Sequence, residues 1–178
     1  MKRSIRSALS TGFKALALAA LTLAPFAATD AHAGATLWNE TNIQYLWGGQ
    51  FKNPFAGTQG TQSTITVEHA NAWKYGDTFL FFDVTDTEKE NTGIYGELSP
   101  RLSIGKITGH DLSAPLVKDV LVAGTLEMGQ GFRNYLYGMG LSLNLPGFNF
   151  ADLNLYVRND PKQSGSTYQV TPCWQLPF

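Results

Sequence analysis

From about Leu37 to the last residue, apolar side chains return at every second position. Leu153, Leu155 and Val157 alternate with Asp152, Asn154, Tyr156 and Arg158; Leu98, Leu102 and Ile104 alternate with Glu97, Ser99, Arg101 and Ser103. A period of two puts successive side chains on opposite faces, which is the signature of a β-strand with one greasy and one polar face. Many such strands behind an export signal predict an all-β, antiparallel transmembrane β-barrel, apolar outside and polar in its lumen. A secreted sandwich or lipocalin-like barrel shares the period but turns its apolar face inward. The segment from Tyr135 to Leu145 crowds Tyr135, Tyr137, Met139, Leu141 and Leu143 onto one face, for which lipid is the easier solvent.

The first residues read as a secretory signal peptide. Lys2, Arg3, Arg6 and Lys14 form a cationic start, and Ala15 to Phe26 is an apolar stretch too short to span a bilayer. Ala31-His32-Ala33 then offers a cleavage site before Gly34. Residues 1–33 are therefore the expected signal peptide and residues 34–178 the barrel; an uncleaved anchor helix is the alternative. Cleavage would carry the chain into the envelope of a Gram-negative bacterium, toward the outer membrane. Four of the 13 basic residues and one of the 14 acids precede Gly34, leaving nine against 13 and a net charge near −4. A nucleic-acid binder would present a clustered cationic face, and a phosphate pore a ring of Arg and Lys. Neutral or cationic cargo fits better. Cys173 is the single cysteine, so neither an internal disulfide nor a thiolate metal cluster is expected.

The alternation predicts eight strands. The first, Leu37 to Phe51, sets Ile43, Tyr45, Trp47 and Phe51 against Glu40, Asn42 and Gln44. The second, Ser63 to Trp73, sends Thr66 and Glu68 inward; the third, Thr78 to Thr85, sends Phe79, Phe81 and Asp83 inward, although a shift of one residue would turn the two Phe rings to lipid. The fourth, Gly93 to Ile107, directs Tyr95, Glu97, Ser99, Arg101 and Ser103 inward, with Pro100 predicting a bulge or a break in pairing. Strands at Val117–Met128, Asn134–Leu145, Phe148–Arg158 and Ser166–Leu176 complete the set. Polar connections at Asn53–Gln62, Asp86–Thr92 and Asn159–Ser164 suit the outer side, and tight turns at Tyr75 and Pro146 suit the periplasmic side. The connection Thr108–Leu116 is longer than that pattern predicts.

The stretch YGELSPRLSIGKITGHDLS, Tyr95 to Ser113, resembles the signature of the Tsx-type nucleoside-specific channels of outer membranes. NAWKYGDTFLFFDVTD, Asn71 to Asp86, is similar to that family's second hairpin, and the segment Asn134 to Asp160 to a later one. The resemblance implies a monomeric, typically twelve-stranded barrel, inserted by the outer-membrane assembly machinery, that passes nucleosides and deoxynucleosides through a narrow pore lined by aromatic and ionisable side chains. This chain carries about eight strands, too few for such a pore if they close on themselves. Pro172 and Pro177 suit a closing strand poorly. A chain lacking about four strands, roughly 70 residues, is the expectation; a complete small barrel is the alternative, even though the alternating end Tyr168, Val170, Trp174, Leu176, Phe178 resembles an assembly signal.

Nucleoside passage asks for flat rings to stack on bases and polar partners for sugar hydroxyls. Phe79, Phe81, Tyr95 and Tyr156 supply the first, and Glu40, Glu68, Asp83, Glu97, Arg101, Asp152 and Arg158 the second. The competing reading makes Glu97, Arg101, Asp152 and Arg158 a charge network that only holds strands together. Two other functions compete: a small structural or adhesive barrel without a pore, and a lipid-modifying barrel enzyme. The enzyme would need a nucleophile and base, but His69 falls on an outward position and His110 in a connection, with no G-x-S-x-G motif. Neither catalytic residues nor a cofactor or metal is expected.

Overall fold

The computed structural model describes residues 36–52, 59–86 and 92–177, with side chains for all but Phe51, Lys52 and Gln59. The expected signal peptide, its cleavage site, and most of the first and third connections lie outside these residues. Eight strands form one antiparallel sheet in sequence order. They are β1 (Thr36–Lys52), β2 (Gln59–Trp73), β3 (Gly76–Thr85), β4 (Gly93–Ser103), β5 (Val117–Gly129), β6 (Phe132–Leu143), β7 (Phe150–Asn159) and β8 (Ser166–Gln175). The all-β, antiparallel class read from the alternation holds. Among the described residues no helix is long and apolar enough to cross a membrane, which says nothing about spans made of strands.

The sheet is curled. β4 and β7 are three strands apart, roughly 14 Å along a flat sheet. Yet Arg101 Nη2 on β4 lies 3.0 Å from Asp152 Oδ2 on β7, a reach that only a concave face permits. Small residues make room beneath it: in the register Arg101, Ala123, Gly138 and Tyr156 follow one another across β4 to β7. A Cβ at Gly138 would run into the Leu155 carbonyl, so β6 and β7 approach closely there. β1 and β8 are not paired with each other, so the described strands form an open sheet and not a closed ring.

The alternation sorts the two faces as the sequence predicts. Tyr137 is 53% exposed and Leu155 45% on the convex face, whereas Ala123, Leu136 and Tyr156 are buried on the concave one. At the tight turn between β2 and β3, Trp73 and Tyr75 meet edge to face with ring centroids 6.1 Å apart. Such rings suit a membrane–water boundary.

Two expectations need correction. The fourth strand stops at Ser103, and Ile104 begins a short helix, α1 (Ile104–Thr108), instead of continuing the alternation. Ser103 Oγ accepts the Lys106 N–H at 3.1 Å, capping the helix. Gly109, at φ 76°, ends it in a conformation that glycine adopts without steric cost. The break in pairing expected at Pro100 falls on one side only: the register with β5 skips Ser99 and Pro100 without a shift, while that with β3 runs through both. Gln59 to Gln62, expected in a loop, already pair or belong to β2. In the β4–β5 connection the Ser113 N–H donates to Asp111 Oδ1 at 2.8 Å. That bond holds the Asp111 carboxyl below the usual carboxylate range.

Candidate functional site: the concave face

The concave face encloses a hollow of about 930 Å³, lined by Glu40, Phe79, Glu97, Arg101, Asp152 and Tyr156 among others. That size houses small molecules elsewhere. Its walls differ in chemistry because β3 contributes rings where β5 to β7 contribute small and polar side chains.

On β3, Phe79 faces Ser99, Phe81 faces Glu97 and Asp83 faces Tyr95, so both Phe rings stand on the concave side. Rings then follow one another along the wall. Phe79 and Phe81 have centroids 5.9 Å apart, Phe81 and Tyr95 5.7 Å, and Tyr95 stacks on Phe132 at 6.2 Å. This ladder runs from mid-strand toward the end formed by the β3–β4 and β5–β6 connections. Carboxylates stand beside it. Glu68 is opposite Phe81 and accepts from Gln44 Nε2 at 3.0 Å. Asp83 accepts from Thr66 Oγ1 at 2.6 Å, and the Tyr95 hydroxyl donates to Glu97. Glu40 shares the face one register step from Phe79, through Ala70.

Toward the opposite end, Arg101 forms a bidentate pair with Asp77, Nε to Oδ1 at 2.7 Å and Nη2 to Oδ2 at 2.9 Å. It also reaches Asp152, which accepts from Ser142 Oγ at 2.7 Å. Fork geometry with shared carboxylates makes this a strong, directional junction. Higher on the same side, Arg158 Nη1 pairs with Glu127 Oε1 at 2.5 Å and with Gln169 Oε1 at 3.0 Å. Tyr156 is buried and its hydroxyl lies 3.5 Å from Thr125 Oγ1.

All eleven residues singled out from the sequence thus fall on the concave face, but the structure divides them into two groups. Phe79, Phe81, Tyr95, Glu97, Asp83, Glu68 and Glu40 line the ladder wall, while Arg101, Asp152, Tyr156 and Arg158 belong to the ion-paired side. Sequence reading missed Asp77, assigned to a turn, and Phe132, placed before its strand. Both were legible from parity, since Asp77 is two residues from Phe79 and Phe132 two from Asn134. Period two also puts Glu127 on this face, while its pairing with Arg158 is visible only in the structure.

The convex face carries a polar group on β1 and β2. His69 Nδ1 lies 2.8 Å from Thr41 Oγ1, and His69 Nε2 lies 3.4 Å from Asn71 Nδ2. No carboxylate joins this group. Among the described residues no set of His, Cys, Asp and Glu has the geometry to hold a metal ion.

Residues 36–178 match the family described as nucleoside-specific channel-forming protein, Tsx. The chain is 27% identical over 176 residues to an outer membrane protein OmpK of Vibrio parahaemolyticus, covering 92% of this chain and 67% of that protein. It is 29% identical over 184 residues to the OmpK of Vibrio parahaemolyticus serotype O3:K6 (strain RIMD 2210633), with the same coverages. No solved structure matches it. The family match spans four fifths of the sequence, and the chain belongs to the Tsx family of nucleoside-specific channel-forming proteins.

Proposed function

We propose that this protein lets nucleosides and deoxynucleosides diffuse passively across the outer membrane along its concave face. The observation that carries this reading is the ring ladder Phe79–Phe81–Tyr95–Phe132 running beside Glu68, Asp83 and Glu97. Every base has a π-face, so stacking serves all of them, at about 1–3 kcal/mol per base. The flanking carboxylates accept hydrogen bonds from sugar hydroxyls. Successive weak contacts let a solute enter and leave, as selective conduction requires. Arg101, Asp152, Tyr156 and Arg158 line the other side and fix the width of the path. The convex face, with Tyr137, Met139 and Leu155 exposed, meets lipid. The protein works as a monomer in this reading, uses no cofactor and forms no covalent intermediate.

Liposome swelling tests the proposal. Vesicles carrying the protein should swell faster in adenosine or thymidine than in a disaccharide of similar size. Equal rates for both solutes would remove the selectivity, and no swelling in either would remove the channel.

A further inference from the structure

Negative charge on the described strands is confined to one face of the sheet. Every carboxylate in a described strand stands on the concave face, and the convex face has none. The guanidiniums that share the concave face are both committed, Arg101 to Asp77 and Asp152, and Arg158 to Glu127. Arg133 points to the convex side, and Lys118 sits exposed at the rim of the hollow. Among the described residues Glu40, Glu68, Asp83 and Glu97 therefore have no Arg or Lys in ion-pair contact. Their partners, where they have them, are neutral: Asn42 and Gln44 for Glu68, Thr66 for Asp83, Tyr95 for Glu97.

A second observation points the same way. Asn134 is 5% exposed and opposes Glu127, to which its Nδ2 donates at 3.0 Å. Its Oδ1 is buried without a hydrogen-bond partner. Buried acceptors are rarely left unmet. The row Glu97–Glu127–Asn134 thus combines an uncompensated carboxylate with an unmet acceptor. On the concave face of the described strands carboxylates outnumber the cations, and Asn134 Oδ1 adds an acceptor that no donor meets.

We propose that the passage is cation-selective: its concave face concentrates solutes that bring positive charge or hydrogen-bond donors and repels anions of the same size. This rests on the reading of the concave face as a solute path and names the class of solute it favours. A cleft lined by one sign of charge focuses its field into the water it encloses, and rings of Asp and Glu are how cation pores are built. Placing aromatic rings beside the carboxylates adds a surface that attracts organic cations.

The test is a reversal-potential measurement on the full chain in planar bilayers under a KCl gradient. K⁺ should permeate several-fold faster than Cl⁻. Glu68→Gln combined with Glu97→Gln should bring that ratio toward unity, and Arg133→Gln should leave it unchanged. The wild-type protein supplies a measure that needs no variant to fold. Raising KCl from about 0.1 M to about 1 M shortens the screening length from about 10 Å to about 3 Å, and should compress the ratio. A conducting, nucleoside-blocked channel with a K⁺/Cl⁻ ratio at or below one overturns this inference alone. An equal shift from Arg133→Gln overturns its assignment to the concave face. Absence of any conductance overturns both the inference and the channel reading beneath it.

Discussion

The two sides of the concave face are built from the same strand geometry and put to opposite uses. From β4 to β7 the polar groups are enclosed and, Asn134 Oδ1 apart, paired: Ser103, Thr125, Glu127, Asn134 and Asn154 are all buried, with Leu121, Ala123 and Leu136 packed among them. Between β1 and β4 the wall stays open, with Phe79 41% exposed; Asp77 meets Arg101, but among the described residues no cation pairs with Glu40, Glu68, Asp83 or Glu97. The difference separates ties from free surface. The Arg101 and Arg158 junctions tie strands that are not neighbours, whereas the rings and acids of the other wall carry no such cross-sheet ties and, in the function proposed above, are the surface offered to a solute.

That division ranks the effects of substitution. Arg101→Met should do the most damage, because Asp77 and Asp152 would be left facing one another across the curl. Removing one partner of such a junction costs about 3–4 kcal/mol, read as a lower urea midpoint in detergent or lipid. Retained stability would mean that the network does not hold the sheet. Tyr137→Lys places a charge near the middle of the convex face, where lipid imposes about 2–3 kcal/mol. Measured by folding into lipid vesicles, a neutral outcome would argue that this face is not embedded.

On the ladder wall the effects should move from stability to passage. Phe81→Ala removes the central ring and should slow nucleoside-driven swelling by about tenfold, the equivalent of about 1–2 kcal/mol of stacking, while leaving the urea midpoint within about 1 kcal/mol. A fall in stability without a change in nucleoside rate would assign Phe81 to packing. Glu40→Gln should be the mildest, within about 0.5 kcal/mol in stability, because among the described residues no hydrogen bond or ion pair depends on it.

Much of this was written in the alternation. Parity alone put Glu97, Arg101, Asp152 and Arg158 on one face but left β3 open to a one-residue shift; its register with β4, Phe79 opposite Ser99 and Phe81 opposite Glu97, is what turns the two rings inward. Periodicity does not show which charges meet across a curl. The sequence separates Arg101 from Asp152 by fifty residues, and only the small row of Ala123 and Gly138 lets the guanidinium cross. Nor did period two reveal its own end at Ser103. Ile104 keeps the alternation going on paper, while the hydroxyl of Ser103 and the backbone freedom of Gly109 turn the chain into a helix. Three of the ladder's four rings were legible: Phe79, Phe81 and Tyr95 were visible, and Phe132 was lost because the turn before β6 is shorter than expected, placing Phe132 already in the strand.

The central claim is that water and solute occupy the concave face and lipid the convex one. Single cysteines along β4, in a Cys173→Ser background and reconstituted in lipid vesicles, test it most directly with a charged, membrane-impermeant thiol reagent. Glu97→Cys and Ser99→Cys should label readily, Leu98→Cys and Leu102→Cys hardly at all, and adenosine should slow labelling at the first pair. Labelling at Leu98→Cys and Leu102→Cys with protection at Glu97→Cys and Ser99→Cys would contradict the account.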